Sequence, residues 1–150
     1  MFHRLLAIAA LGLLSTPLWA ATCTTTVEAS DMMQFNVSNV NVPRTCKTFT
    51  VILKHTGNLP RNVMGHDWVL TSAADEAGVL ADGIKAGLDN NYIKPGDTRV
   101  IAHTKIIGGG ETTSVSFKPA LLKNGTDYVF FCSFPGHAAI MHGTVTLTGK

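Results

Sequence analysis

The chain is 150 residues long, 45% hydrophobic and only 15% charged, and twelve Lys and Arg against ten Asp and Glu leave a formal charge of +2. Charge is sparse beside the roughly 25% of a typical soluble domain, and too balanced for a protein that reads nucleic-acid phosphates. No apolar run reaches the ~18–20 residues of a membrane-spanning helix, and apolar residues recur too regularly for disorder, so one compact domain is expected.

Met1-Phe-His-Arg4 makes a short basic start, Leu5 to Leu14 is an almost unbroken apolar run, and Pro17-Leu-Trp-Ala20 ends on a small residue. That is the layout of a secretory signal peptide, cut after Ala20 and too short to remain as an anchor. Residues 21–150 then form a single exported domain. Export bears on the three cysteines, since an odd number in an oxidising compartment suggests one disulfide and one sulfur kept for other work. The simplest pairing is Cys23–Cys46, whose ring would stabilise the fold by about 3 kcal/mol on the chain-entropy model. The other two pairings remain open, although Cys132 lies far away in an aromatic segment.

The domain reads mostly as strands. Thr24–Ala29 and Met33–Ser38 are short and separated by a Ser-Asp turn, and Lys47–Lys54 carries Phe49, Val51 and Leu53 at period two. His66–Thr71, Thr98–Ala102, Thr113–Phe117, Asp127–Cys132 and Gly143–Thr148 follow, punctuated by Gly57-Asn58, Pro95-Gly96, Gly108-Gly-Gly110 and Asn124-Gly125. Between Ser72 and Leu88, residues Ala77, Leu80, Ala81, Ile84 and Leu88 recur at helical spacing, with Ser72 and Asp75 placed like an N-terminal cap. About eight strands and one short external helix predict an all-β, antiparallel or Greek-key sandwich or barrel.

The chemistry is concentrated in Phe130-Phe-Cys-Ser-Phe-Pro-Gly-His-Ala-Ala-Ile-Met141, which spaces Cys132, His137 and Met141 as Cys-x4-His-x3-Met. A second histidine, His66, heads a strand far upstream and must come from a neighbouring strand to meet them. A thiolate and two imidazoles suit zinc or copper, whereas a thioether suits copper and is a poor zinc ligand. Two His and one Cys with a weak axial Met form the blue-copper electron-transfer arrangement. A cysteine hydrolase would need a third catalytic partner and an oxyanion loop, neither of which is conspicuous.

Over essentially its whole length from Cys23 the chain resembles the azurins, bacterial blue-copper electron carriers of the cupredoxin family. The resemblance rests on His55-Thr-Gly-Asn-Leu-Pro60, Asn62-Val-Met-Gly-His66, Arg99-Val-Ile-Ala-His-Thr-Lys105 and Phe130-Phe-Cys-Ser-Phe-Pro-Gly-His137. It implies one copper ion held by His66, Cys132 and His137, with Met141 as a distant axial ligand and the Gly65 carbonyl on the other side. It also implies the Cys23–Cys46 disulfide and a hydrophobic collar through which His137 reaches the surface. The collar comprises Met33, Leu59, Val63, Met64, Phe134, Pro135, Gly136 and Ala139, although Met33 and Leu59 could equally be core.

Asp67 departs from the family, which usually carries Asn there to tie the ligand loops together. Its carboxylate could accept a bond from Ser133 or a backbone N–H, and when ionised it would lower the reduction potential. His55 and His103 match azurin histidines, the first expected near the site and the second on the surface. His142 is expected to face solvent, and Trp68 to lie in the core. The resemblance implies a periplasmic carrier of single electrons rather than an enzyme. Its partners would be redox proteins such as c-type cytochromes and respiratory reductases or dehydrogenases. A copper carrier or storage protein is the alternative. No nucleic acid and no stable membrane insertion are expected, and the apolar collar suggests a monomer or weak dimer.

Overall fold

The computed structural model describes residues 22–149, so the signal peptide read in residues 1–20 lies outside the described residues. Nine strands are described: β1 Thr24–Ser30, β2 Gln34–Phe35, β3 Asn39–Pro43, β4 Phe49–His55, β5 Val69–Ser72, β6 Ala102–His103, β7 Thr112–Phe117, β8 Tyr128–Phe131 and β9 His142–Thr148. They form two sheets, ordered β2-β1-β4-β7 and β3-β9-β8-β5-β6. The inward residues of both sheets share one core that includes Val27, Val42, Val51, Leu53, Leu70 and Phe130. Trp68 is fully buried in it, stacked between Phe117 and Phe130 with ring centroids 6.3 and 5.8 Å away. This is the expected β-sandwich.

Pairing is not antiparallel throughout, because β1 runs parallel to β4 and β3 parallel to β9. The parallel register of β1 and β4 brings their starting ends side by side, and the Thr50 amide bonds the Cys23 carbonyl at 3.0 Å. Cys23 and Cys46 therefore meet, with Cα atoms 5.6 Å apart, and form the disulfide, leaving Cys132 as a buried free thiol.

Four strand expectations need correction. The strand read over His66–Thr71 begins only at Val69, because His66 pairs with Ile107 in an isolated bridge instead of heading β5. The strand read over Met33–Ser38 shrinks to β2, because Met33 takes a left-handed φ of 53° and the Asn36 side chain caps the Glu28 amide at 2.8 Å. β3 was not foreseen, since its buried Val40 and Val42 alternate with asparagines that are poor strand formers. The strand read over Thr98–Ala102 becomes β6 alone, because Arg99 is drawn out of line by bonds from its backbone and guanidinium to Asp97.

The external helix is present as α2, Glu76–Ala86, but of its apolar stripe only the half-buried Leu80 packs on the core beneath. Ala77, Ala81 and Ile84 are exposed, whereas Val79 and Gly83 are buried. A Cβ on Gly83 would lie 2.0 Å from the Tyr92 carbonyl oxygen, so the glycine lets the helix seat closely. Val79 then packs with Val69, Ile93 and Phe131 on the outer face of the second sheet. Ser72 ends β5 and is not the cap; its hydroxyl bonds the Asp75 carboxylate at 2.6 Å, and no side chain caps the helix.

Candidate metal centre

β8 ends at Phe131 and delivers Cys132 to one pole of the sandwich. The chain then turns back within nine residues to start β9. Its loop is closed by the Cys132 amide on the Met141 carbonyl at 3.0 Å and the Met141 amide on the His137 carbonyl at 2.8 Å. Pro135 starts the turn and Gly136 completes it at φ +84°, a region that an L side chain enters only with strain. These bonds fold the Cys-x4-His-x3-Met spacing into one tight loop. His66 arrives separately, through a short helix α1 at Arg61–Met64 and an isolated antiparallel bridge to Ile107, with bonds of 3.0 and 2.9 Å.

The two segments converge. Cys132 Sγ lies 3.8 Å from His66 Nδ1, 3.6 Å from His137 Nδ1 and 3.8 Å from the Gly65 carbonyl oxygen. The three ligand atoms lie within 4.8 Å of one another, and all three residues are buried. A metal–sulfur bond of about 2.3 Å and a metal–nitrogen bond of about 2.0 Å, opened to about 120°, would separate sulfur from nitrogen by about 3.7 Å. The spacing thus fits a single ion at the centre of the triangle. Met141, four residues after His137, is fully buried, and a thioether is a soft donor that suits copper better than zinc.

Tautomers are set by geometry. His66 Nε2 bonds the Ser30 carbonyl at 2.9 Å; a carbonyl can only accept, so the proton is on Nε2 and the Nδ1 lone pair is free. Burial lowers the pKa of His66 to about 4 and that of His137 below its ordinary value, keeping both imidazoles neutral. Burial, and then the Asp67 carboxylate, push the Cys132 thiol well up, so a metal ion must displace its proton.

Asp67 ties the two segments together. It is fully buried, with Oδ1 accepting the Ser133 amide at 2.7 Å and Oδ2 within 2.6 Å of the Ser133 hydroxyl, so it does accept from Ser133 as its sequence position suggested. Burial raises its pKa to about 6 against the opposing pull of those bonds. The Ser133 hydroxyl also lies 3.0 Å from the Asn91 carbonyl and has one proton to share between the two oxygens.

His55 is buried against the site as expected, stacked on His66 with centroids 4.6 Å apart. Its Nδ1 accepts the Gly57 amide at 3.0 Å, so its Nε2 donates to the Met64 carbonyl at 2.8 Å. His142 is exposed, while His103 is half-buried on β6 with Nδ1 donating to the Thr104 carbonyl at 2.9 Å.

Of the collar residues, Leu59, Val63, Pro135, Gly136 and Ala139 are exposed and Met33, Met64 and Phe134 half-buried. His137 itself is buried beneath them, with 4% of its surface exposed. The sequence reading missed Ile84, which is 60% exposed and lines an apolar groove of about 200 Å³ with Leu80, Phe134, Pro135, Ala138 and Ala139. It also missed Tyr92, set edge-on to Phe134 at 5.5 Å, and the Ser30 carbonyl that orients His66. A helix whose apolar stripe includes exposed positions was the one available signal for Ile84.

Residues 21–148 match the family of copper-binding proteins described as plastocyanin/azurin. The chain belongs to that family. It is 56% identical to azurin of Pseudomonas aeruginosa over 147 residues, spanning 98% of this chain and 99% of the relative. Azurin of Bordetella pertussis is 56% identical over 148 residues, with the same shares covered, and azurin of Pseudomonas denitrificans 61% identical over 127 residues, 85% of this chain and 99% of the relative. As a member of the plastocyanin/azurin family it is a blue-copper electron-transfer protein, and its His66, Cys132 and His137 cluster fits one copper ion. Nothing in the site favours a copper carrier, whose ligands would need to be exposed for exchange. Among the described residues, no helix is long and apolar enough to cross a membrane.

Proposed function

We propose that His66 Nδ1, Cys132 Sγ and His137 Nδ1 are the three close copper ligands, with the Met141 thioether and the Gly65 carbonyl completing the set. The observation that carries this is the burial of three ligand atoms around one point, with the His66 ring oriented by the Ser30 carbonyl. Copper held there supplies a one-electron couple between Cu(II) and Cu(I). The protein contributes rigidity. The Ser30 carbonyl and the His55 ring hold His66, the loop's own amides hold His137, and Asp67 locks Ser133 beside Cys132. A site fixed by packing on every side changes little with oxidation state, which keeps reorganisation small.

Electrons would enter and leave past the His137 edge, through the collar of Met33, Leu59, Val63, Met64, Phe134, Pro135, Gly136 and Ala139. The exposed apolar members of that collar suit a partner-docking face. Redox proteins such as c-type cytochromes and respiratory reductases or dehydrogenases fit it by function. With donors on all sides and no position for a substrate, we read the protein as a carrier rather than an enzyme. Residues 1–20 are read as a signal peptide to the periplasm and residues 21–150 as a single domain, in keeping with a family match that begins at residue 21.

The test is the visible and EPR spectrum of the exported protein with Cu(II), before and after a mild reductant. An intense blue thiolate band with small copper hyperfine splitting, bleached by reductant and restored by oxidant, is the expected result. A pale spectrum with ordinary splitting would remove Cys132 from the ligand set and sink the assignment.

A further inference from the structure

The pole opposite the metal centre has its own character. β4 runs from Phe49 to His55 and β9 from His142 to Thr148, so seven-residue strands, about 20 Å at ~3.3 Å per residue, separate the two poles. At the far end, the Arg44 amide bonds the carbonyl of Thr148, the last residue of β9. Phe49, the first residue of β4, pairs with Phe117, the last of β7, so Lys47 and Lys118 lie just outside the ends of two adjacent strands. Lys123 is tied to the start of β8 by its amide on the Tyr128 hydroxyl at 2.8 Å. Arg44, Lys47, Lys118 and Lys123 are all exposed, and the segments 44–48 and 118–126 that carry them contain no acidic residue.

Among these cations stands Leu121. The 3-10 turn Pro119–Leu121 is anchored by buried Pro119 and Leu122, so Leu121 is held outward, 54% exposed, with a lysine on either side. The nearest acid in sequence, Asp127, is exposed and lines the same surface cavity as Arg44 and Lys123, so one carboxylate stands against the four cations.

We propose that this pole docks reversibly on an anionic lipid surface, Leu121 entering the headgroup layer and the four cations lying over it. Charge complementarity and the isolated apolar tip carry the assignment. Interfacial binding combines apolar insertion with attraction to anionic lipid, and a fluid headgroup layer accommodates a single protruding leucine. The Arg44 guanidinium donates to the Asn124 side-chain carbonyl, which ties the 44–48 and 118–126 segments to each other. Docking this way leaves the Cys132–Met141 loop facing away from the bilayer and open to redox partners.

The experiment is sedimentation of the exported, copper-loaded protein with vesicles of mixed phosphatidylglycerol and phosphatidylcholine, against phosphatidylcholine alone. Binding to the anionic vesicles should be about tenfold stronger at low salt and fall to the neutral-vesicle level near ~0.5 M salt. The double variant Lys118→Ser with Lys123→Ser should lose most of that preference, and Leu121→Ser should weaken binding while keeping its salt dependence. Lys54→Ser with Lys105→Ser, which removes the same charge elsewhere, should bind as the parent does. Equal loss in that control, or no preference for anionic vesicles, would overturn the proposal. Retention on an immobilised acidic polypeptide without vesicle binding would also overturn it, in favour of a protein partner. The outcome is separable from the ligand assignment, which is read in the visible spectrum and not in sedimentation.

Discussion

The two segments that make the metal centre are built in opposite ways. The Cys132–Met141 loop is closed on itself by backbone hydrogen bonds between residues nine or fewer apart, and it stands open at its tip, where Gly136 has no neighbour within 4 Å of an added Cβ. The Gly65–Asp67 segment is long-range and enclosed. Its residues are buried, and a Cβ on Gly65 would lie 2.2 Å from the Arg61 carbonyl oxygen and 2.5 Å from Ile106 Cγ2. One segment brings most of the donors and the other brings the rigidity that positions them. Chemistry should therefore fail most sharply in the loop, and geometry most sharply upstream.

The largest effect is expected from Cys132→Ser, which removes the only thiolate from the site. The blue band should vanish on Cu(II) addition while the far-UV circular dichroism is kept, and a surviving intense band would contradict the ligand set. Next comes the pair Gly65→Ala and Gly136→Ala. Overpacking against backbone should cost Gly65→Ala about 3 kcal/mol in urea unfolding and disturb the copper spectrum, because His66 must shift. Gly136→Ala meets no atom and should cost only about 1 kcal/mol of backbone strain. Equal losses would mean that the two segments are not packed as differently as they look.

A smaller change is expected at the tie between the segments. Asp67→Asn keeps an acceptor for the Ser133 amide but removes a carboxylate beside the thiolate, so the reduction potential should rise, by roughly tens of millivolts where 59 mV is a tenfold shift in a one-electron equilibrium. Voltammetry at pH 8 checks it, and a lower or unchanged potential would count against an electrostatic role for Asp67. The smallest effect lies away from both segments. The Arg99 guanidinium bonds Asp97 at 2.6 Å and Asp82 of α2 at 2.8 Å, holding both carboxyls below the usual carboxylate range. Groups with a lowered folded pKa add stability above the unfolded value of about 3.9, and that stability is lost as pH falls through the lowered pKa. Arg99→Ala should lower the melting temperature slightly at pH 7, and the difference should shrink as the pH falls below about 3.9. A difference that persists in acid would show that Arg99 acts through packing alone.

The same contrast explains what could be read in advance. Every strand with apolar residues at period two and a clear turn beside it, β4 and β9 above all, lies within a residue or two of its expected place. β3 was hidden because Asn39 and Asn41 mask the alternation of Val40 and Val42, and β2 was overestimated because Met33 enters a left-handed turn that no residue type signals. The buried face of α2 could not be read from apolar periodicity, because a glycine, Gly83, makes the closest approach.

From the residues alone came the donor chemistry. Cys-x4-His-x3-Met in one loop specifies soft ligands within reach of each other, since a short loop between adjacent strands cannot hold them far apart. Export and an odd cysteine made one disulfide the natural expectation. Which cysteines pair, and where His66 goes, depends on strands far apart in sequence. Cys23 meets Cys46 because β1 and β4 run parallel, and His66 meets Cys132 through a bridge to Ile107. The basic pole is of the same kind, since Arg44 and Lys123 become neighbours only when β9 carries Thr148 to Arg44 and the Asn124 side chain meets its guanidinium. Local spacing is written in covalent geometry, whereas long-range neighbours are chosen by burial of the whole core, a collective quantity that no short stretch of residues contains.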